Sequence, residues 1–168
     1  MALEIERKFL LTDERWRETV ERSVPMKQAY LGGDGVSVRV RLAGERALIN
    51  IKQMRLGMQR EEFEYPVPLD DGLRLFALAG GGQLEKTRHY LHHDGLLWEI
   101  DEFTGRNQGL IVAEVELESV DQAVKLPPWT GTEVTDVERY YNISLATRPF
   151  EAWSDAEQAG HQQEAQHE

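Results

Sequence analysis

Glu4, Glu6 and Lys8 alternate with other residues in the segment Leu3–Leu10, close to the N-terminus. Successive residues of a β-strand point to opposite faces of the sheet, so the two carboxylates and the amine would project from one face. Clustered carboxylates without His or Cys favour a hard, oxygen-preferring cation such as Mg²⁺ or Mn²⁺. The lysine would add a compact positive charge suited to an anion. This spacing predicts a site for a metal ion and an anionic ligand.

The same alternation recurs in later segments with strand-like patterns, predicted at about 26–31, 36–42, 45–54, 60–67, 83–92, 96–103 and 110–118. One face of these strands is almost purely ionic, and the other is mostly apolar. The ionic positions are Glu4, Glu6, Lys8, Arg39, Arg41, Lys52, Glu62, Glu64, Lys86, Arg88, Glu99, Asp101, Glu114, Glu116 and Glu118.

Two turns test whether the ionic faces of neighbouring strands coincide. Asp34-Gly35 and Asp94-Gly95 are strong signals for two-residue hairpin loops. A slip of one residue would move every side chain to the opposite face. The pairs that these loops predict are Arg88 opposite Asp101, Tyr30 opposite Arg39, and Gln28 opposite Arg41. In both hairpins the polar residues therefore share one side of the sheet.

Eight strands in hairpin succession predict an α+β, mainly antiparallel β fold, a closed eight-stranded antiparallel β-barrel with a few flanking helices. Helices are predicted at about 12–20, 69–79, 120–125 and 136–146. Residues 1–150 are predicted to form one domain. Residues 151–168 are rich in Gln, Glu, Ala and His, and their composition predicts an acidic, mobile tail.

Composition restricts the classes of function. The net charge is -11, and residues 151–168 hold five acids and no Lys or Arg. An acidic body argues against broad nucleic-acid binding, which requires a basic face. The chain has no cysteine, which excludes disulfides and thiolate metal sites. With no signal-peptide pattern and no long apolar segment, we expect a cytoplasmic protein without a membrane or nucleic-acid partner.

The ionic face has two interpretations. An antiparallel sheet often exposes a charged face to water, and any one strand is consistent with that. Solvated faces usually mix Thr, Ser, Gln and Lys, whereas these positions are sorted into acid pairs, Arg-x-Arg and Lys-x-Arg. Arg and Lys together suit phosphoryl oxygens, and clustered acids suit a hard metal. The combination favours a metal-bound polyphosphate inside a water-filled barrel.

The sequence Glu4-Ile-Glu6-Arg-Lys8 resembles the ExExK signature of the CYTH, or triphosphate tunnel metalloenzyme, superfamily. Its later motifs are matched in order by Arg39-x-Arg41, Lys52, Glu62-x-Glu64, Lys86-x-Arg88, Asp101 and Glu114-x-Glu116, and the match ends at about residue 145. The resemblance implies phosphate binding by Lys8, Arg39, Arg41, Lys52, Lys86 and Arg88. It implies Mg²⁺ or Mn²⁺ binding by Glu4, Glu6, Glu62, Glu64, Asp101, Glu114 and Glu116.

The resemblance to the short, single-domain bacterial members also implies an activity. It is the metal-dependent hydrolysis of inorganic triphosphate to pyrophosphate and phosphate. Lys8 and Tyr30 are the implied catalytic residues, with Tyr30 hydrogen-bonded to Lys8. The roles of Glu99 and Glu118 stay open, with a salt bridge to a neighbouring Arg as the default, and a homodimer is left open.

The strand motifs leave other activities open, because all of them bind a triphosphate in the same way. A class IV-type adenylate cyclase is one alternative, and a nucleoside or thiamine triphosphatase is another. A sensor that binds polyphosphate or a nucleotide without turnover is the alternative outside enzymes, although the many acids argue against it.

Overall fold

The computed structural model describes residues 2–166 of the 168-residue chain. Nine strands carry most of it, and three α-helices and four short 3₁₀ segments flank them. The strands are β1 (Leu3–Leu11), β2 (Arg22–Gly32), β3 (Val36–Ala43), β4 (Arg46–Gln53), β5 (Gln59–Val67), β6 (Gln83–His93), β7 (Leu96–Thr104), β8 (Ile111–Glu116) and β9 (Thr130–Glu133). The α-helices are α1 (Leu69–Leu78), α2 (Asn142–Thr147) and α3 (Asp155–Gln166).

The strands form the predicted closed barrel. All pairings are antiparallel, in the order β5-β4-β3-β2-β6-β7-β8-β1-β9. The barrel closes where Leu3, Glu4 and Ile5 of β1 pair with Gln59–Glu61 of β5. Eight strands make the ring, and β9 is an extra strand on the edge of β1.

The predicted hairpin registers are confirmed. Arg88 lies opposite Asp101, and Tyr30 and Gln28 lie opposite Arg39 and Arg41 respectively. The turn at Asp94-Gly95 has φ values of 52° and 79°. Such positive values match the right-handed twist of the flanking strands. The charged residues of neighbouring strands therefore share the inner face of the barrel.

The flanking elements differ from the sequence prediction in four places. The helix predicted at 12–20 is a short 3₁₀ segment, Arg15–Thr19, and none forms at 120–125. The helix predicted at 136–146 is divided into a 3₁₀ turn, Glu138–Tyr140, and α2. Pro127 and Pro128 precede β9, which the sequence prediction missed. Four residues around a glycine give too short a pattern for the period-two test.

Two apolar clusters surround the ionic interior. On the outside of the barrel, Trp16 and Trp129 cover Phe9, Trp98 and Val115. The second cluster closes one end of the barrel. It combines Leu10, Leu84, Phe103 and Val112, which continue the inner faces of their strands, with Val134, Tyr140, Leu145 and Trp153 from the C-terminal segments. The inner face is thus ionic along most of its length and apolar at that end.

The segment after residue 150 is more structured than predicted. Trp153 is buried in the end cluster, where it packs against Tyr140 and Phe150. His161 of α3 contacts the same three rings. Trp153 thus buries apolar surface within a segment whose composition predicts a mobile tail, and the mobility of that tail stays a prediction. The domain boundary at residue 150 stays a prediction. Within residues 2–166, none of the helices has the length and apolar character needed to cross a membrane.

Candidate active site

The inner faces of the strands enclose a charged space, here called the ionic lumen. It is lined by Glu4, Glu6, Lys8, Arg39, Arg41, Lys52, Glu62, Arg88, Glu99, Glu114 and Glu116 of the barrel and by Asn142 of α2. Lys86 and Asp101 are buried in the wall behind it. The structure thus brings together the residues predicted from strand alternation, with two exceptions. Glu64 is exposed and does not line the lumen, although it accepts a hydrogen bond from Asn50. Glu118 lies beyond the end of β8 and is exposed.

The β6–β7 wall of the lumen is a complete ion-pair network. Asp101 accepts two hydrogen bonds from the Arg88 guanidinium, at 2.8 and 2.9 Å, and one from Lys86 Nζ at 2.7 Å. Burial alone would raise the pKa of Asp101, but Arg88 and Lys86 hold it below its usual value. Lys86 also donates to Asn142 at 2.8 Å, and Arg88 reaches Glu99 at 3.2 Å. Glu99 therefore has the salt bridge expected by default.

The β1–β4–β5 wall is incompletely bonded. Lys52 Nζ lies 2.9 Å from Glu4 Oε1, 3.2 Å from Glu62 Oε2 and 3.9 Å from Glu6 Oε1. Glu4 Oε1 and Glu62 Oε2 are nevertheless buried without a partner in hydrogen-bond geometry. One ammonium group thus serves three carboxylates, and its contacts with these two oxygens are ion pairs rather than well-directed hydrogen bonds.

The carboxylates of this wall have strongly displaced pKa values. Burial, reinforced by the neighbouring Glu6, raises the pKa of Glu4 to about 8. Burial alone would also raise the pKa of Glu62, but Lys52 and Arg39 lower it to about 2. Glu116 pairs directly with Glu6 across the strands, and burial together with Glu6 raises its pKa. At neutral pH Glu4 therefore carries a proton, which a bound cation would displace.

Lys8 and Tyr30 do not form the predicted hydrogen bond. Lys8 Nζ instead donates to Glu114 Oε1 at 2.6 Å and lies 3.6 Å from Glu6. The Tyr30 hydroxyl lies beside the Arg39 guanidinium, where burial alone would lower the pKa of Arg39 but Tyr30 and Glu62 raise it. Both residues line one cavity at the end of the lumen, so they remain candidates for contact with the same ligand.

Two side-chain amides extend the lumen network beyond the predicted residues. Gln28 accepts a hydrogen bond from Arg41 Nε at 2.7 Å. Asn50 accepts from Arg39 Nε at 3.3 Å and donates to Glu64 at 2.8 Å. Both amides belong to the inner faces of their strands. The sequence prediction placed Gln28 opposite Arg41 without assigning it a role, and it missed Asn50 because it concentrated on charge.

Arg41 is a buried cation without a carboxylate partner within 4.0 Å among the described residues. Burial, aided by repulsion from Arg39 and Arg88, lowers the pKa of Arg41 to about 10. It still carries its charge at neutral pH, with neutral Gln28 as its side-chain hydrogen-bond partner. A buried cation without an anionic partner is stabilised by any anion that enters the lumen.

The acids suit a divalent metal by their chemistry, although they are not arranged around a common point. Within the described residues, no group of three or more His, Asp or Glu side chains is placed to hold one ion. Lys52 occupies the space between Glu4, Glu6 and Glu62 instead. Buried oxygens without hydrogen bonds at Glu4 and Glu62 are the ligand atoms that a hard cation prefers. The donor set therefore fits a hard divalent cation.

Comparison with known families agrees with the motifs and the barrel. The model of the CYTH domain matches residues 2–148 of this sequence. The chain belongs to the CYTH family. This membership extends the resemblance of separate motifs to nearly the whole barrel and the segments that close its end.

Two curated relatives are similar over nearly their full length. The inorganic triphosphatase of Acetivibrio thermocellus is 33% identical over 157 residues, which cover 92% of this chain and 100% of the relative. The inorganic triphosphatase of Nitrosomonas europaea is 36% identical over 148 residues, or 85% of this chain and 96% of the relative. Among solved structures, the crystal structure of an inorganic triphosphatase superimposes with a TM-score of 0.65 at 35% identity. That match covers 88% of this chain and 96% of the solved chain.

Proposed function

We propose that this CYTH protein is a hydrolase that cleaves inorganic triphosphate to pyrophosphate and phosphate in the ionic lumen. The observation that carries the proposal is the unbalanced lumen itself. Arg41 is buried beside a neutral amide, and Glu4 and Glu62 have buried oxygens without hydrogen bonds. A metal complex of triphosphate supplies both missing partners at once, an anion for the arginine and a cation for the acids. Two relatives named inorganic triphosphatase, at 33% and 36% identity, support this substrate.

The proposed roles follow the two kinds of charge. The phosphate chain would be bound by Lys8, Arg39, Arg41, Lys52, Lys86 and Arg88. Mg²⁺ or Mn²⁺ would be held by carboxylates drawn from Glu4, Glu6, Glu62, Glu64, Glu114 and Glu116. Asp101, which already accepts three hydrogen bonds, would instead position Arg88 and Lys86. When bound, the metal would neutralise phosphoryl oxygens and lower the pKa of a coordinated water.

The residues themselves supply positioning and charge. Phosphoryl transfer requires that the attacking and leaving oxygens lie in line and that the charge on the equatorial oxygens is stabilised. Guanidinium groups on different strands, such as Arg41 of β3 and Arg88 of β6, would fix the chain by charge-assisted hydrogen bonds. Lys8, held by Glu114, keeps its proton and can neutralise charge on a leaving oxygen. Tyr30 acts through Arg39, which it faces.

The barrel also limits the access of water, which would otherwise weaken the interaction between the charged side chains and the phosphate chain. The apolar cluster around Leu10 and Phe103 closes one end, so the lumen has low polarity behind the charged groups. Fixed charges in such a site act on the phosphate chain more strongly than they would in bulk water. The enclosed, preorganised charge favours turnover over simple binding.

A phosphate-release assay tests the proposal. Purified protein is incubated with triphosphate, pyrophosphate, ATP or thiamine triphosphate, each with Mg²⁺ or Mn²⁺, and cyclic AMP is measured in parallel. The expected result is one phosphate and one pyrophosphate per triphosphate, and no product in EDTA. Cyclic AMP from ATP would instead identify a cyclase. Tight triphosphate binding without any product would identify a sensor.

A further inference from the structure

The two cavities that adjoin the ionic lumen have opposite charge. One, with a volume of about 550 Å³ and here called the basic cavity, shares Lys8, Arg39 and Lys52 with the lumen. Its further charged residues are Arg55, Arg60 and Glu138. Positive side chains therefore outnumber negative ones by five to one in its lining.

The second cavity, here called the acidic mouth, has a volume of about 470 Å³ and adjoins the other part of the lumen. Its acidic residues are Glu4, Glu45, Glu62, Glu64, Glu99 and Glu116, against four arginines. An anion approaching the protein is attracted to the basic cavity, and a metal cation is attracted to the acidic mouth. The two components of a metal–triphosphate complex thus have different electrostatically favoured entrances.

Arg60 is the buried cation of the basic cavity that the strand motifs did not identify. It occupies the inner face of β5, two residues before Glu62, and it is 6% exposed. Its side-chain hydrogen bond goes to the Gly57 carbonyl oxygen at 3.3 Å, and its Nε is buried without a partner. Among the carboxylates in the described part of the chain, none lies within 4.0 Å of its guanidinium.

Arg60 is held beside Lys8 by a shared aromatic ring. The Arg60 guanidinium carbon lies 4.8 Å from the centre of the Tyr141 ring, and Lys8 Nζ lies 5.7 Å from the same centre. The Tyr141 hydroxyl donates to the Thr135 carbonyl oxygen at 2.6 Å and accepts from Gly57 N at 3.1 Å. Two backbone contacts therefore fix the ring against which both cations rest.

A buried guanidinium with an unused donor is costly unless an anion pairs with it. Two cations at one ring repel each other, and an oxyanion between or beside them would relieve that repulsion. Phosphoryl oxygens match the planar donor fork of arginine. Arg60 and Lys8 together therefore stabilise a bound phosphate chain more than they stabilise the free protein.

We propose that Arg60 is a further substrate-binding residue, which contacts a terminal phosphate of the chain from the basic cavity, and that triphosphate enters the lumen through this cavity. The inference rests on the proposed function, because it takes triphosphate as the anion. It adds a cation beside Lys8 that the strand motifs do not contain.

Isothermal titration calorimetry with inorganic triphosphate in EDTA tests the contact without turnover. Arg60→Met keeps the length of the side chain and removes the charge. Arg46→Met is the matched control, because Arg46 is an exposed arginine that lines the acidic mouth. We expect Kd to rise at least about tenfold for Arg60→Met, the loss typical of a buried charged contact. For Arg46→Met we expect Kd to stay within about twofold of the wild-type value.

Thermal unfolding separates binding from a structural role. If Arg60 awaits an anion, Arg60→Met leaves the Tm of the free protein unchanged or higher, and it reduces the rise in Tm that triphosphate causes. A lower Tm with an undiminished triphosphate-induced rise would overturn the inference, as would a Kd within twofold of wild type. Arg60→Gln is the second neutral variant if Arg60→Met does not fold, with the same expected and contradicting results.

The wild-type titration distinguishes the two proposals. If the wild-type protein binds and hydrolyses triphosphate while Arg60→Met binds it equally well, the proposed function stands and the role of Arg60 is wrong. If the wild-type protein neither binds nor hydrolyses triphosphate, both proposals fail together.

Discussion

The two walls of the ionic lumen use the same residue types and differ in how completely those residues are bonded. On the β6–β7 wall, Asp101 receives three hydrogen bonds from Arg88 and Lys86. On the β1–β4–β5 wall, Lys52 lies between Glu4, Glu6 and Glu62, and two of the carboxylate oxygens that it approaches lack hydrogen bonds. The first wall is complete in the free protein, whereas the second requires a ligand.

Because of this difference, we expect the β6–β7 wall mainly to stabilise the fold and the β1–β4–β5 wall mainly to bind the ligand. Breaking a complete buried ion pair leaves a charge uncompensated and costs several kcal/mol. Removing a charge that is poorly paired in the free protein costs little stability, and such groups are common at functional sites. The motif residues are therefore not equivalent. Asp101 is expected to act mainly on stability, and Glu4 mainly on metal binding.

Asp101→Asn should give the largest effect. The substitution keeps the shape of the side chain but leaves Arg88 and Lys86 buried without their common carboxylate. We expect the free energy of unfolding to fall by about 3–5 kcal/mol, the usual cost of breaking a buried pair. Urea denaturation measures it. A loss below about 1 kcal/mol would mean that the network is not a structural unit.

Lys8→Ala tests the residue that joins the two walls through Glu114 and Glu6. If Lys8 neutralises the leaving oxygen, its loss should lower kcat by about 100-fold or more and change KM less. Steady-state kinetics with triphosphate provide both constants. An unchanged kcat would remove Lys8 from the chemistry, and an equal loss in Kd for triphosphate would make it a binding residue alone.

Glu4→Gln sharpens the comparison from the other wall. The metal concentration for half-maximal activity should rise at least about tenfold, since even residues that only support metal ligands cost that much when replaced. The stability of the metal-free protein at neutral pH should rise rather than fall, because the folded wild-type protein holds a proton on Glu4 that its unfolded chain releases. Titration with Mg²⁺ and Mn²⁺ measures the first effect. A wild-type titration curve would refute the metal-binding role of Glu4.

The pH dependence of stability gives the most specific effect, and a gradual one. The pKa of Glu4 is raised from 4.5 to about 8 by folding, so the folded protein binds more protons than the unfolded chain between these values. Stability contributed by this proton is complete below pH 4.5 and is lost as the pH rises to about 8. The maximal slope for one proton is about 1.4 kcal/mol per pH unit.

Glu4→Gln is the control for this slope. It should match the metal-free wild-type protein in stability near pH 4.5 and exceed it increasingly toward pH 8. Urea denaturation in EDTA across this range measures the difference between the two proteins. Parallel curves would show that Glu4 does not hold a proton in the folded state.

The sequence predicted the lumen well because side chains alternate between the two faces of a strand with a period of two residues. Alternation and two short turns determined the register, and Arg88 faces Asp101 as the Asp94-Gly95 loop requires. Side-chain pairing within the lumen could not be derived in this way, because each lysine has several acids within reach. Lys8 pairs with Glu114 rather than Tyr30 for that reason.

Arg60 and Trp153 show two further limits of the sequence prediction. Arg60 begins the predicted fifth strand with the same parity as Glu62 and Glu64, but its burial and its position beside Lys8 become evident only in the structure. Trp153 follows Pro149 in a polar segment, yet it is buried because the open end of the barrel offers an apolar surface. The composition of residues 151–168 does not show which surface of the barrel these residues pack against.

The central claim is that the incompletely bonded wall holds the metal and the complete wall does not. Anomalous diffraction from crystals loaded with Mn²⁺ and pyrophosphate, a proposed product, tests it most directly. The account predicts a manganese peak bound by Glu4 or Glu62, with Lys52 moved away from these carboxylates. A peak bound by Asp101 with Glu4 and Glu62 unliganded, or manganese on the barrel exterior alone, would contradict it.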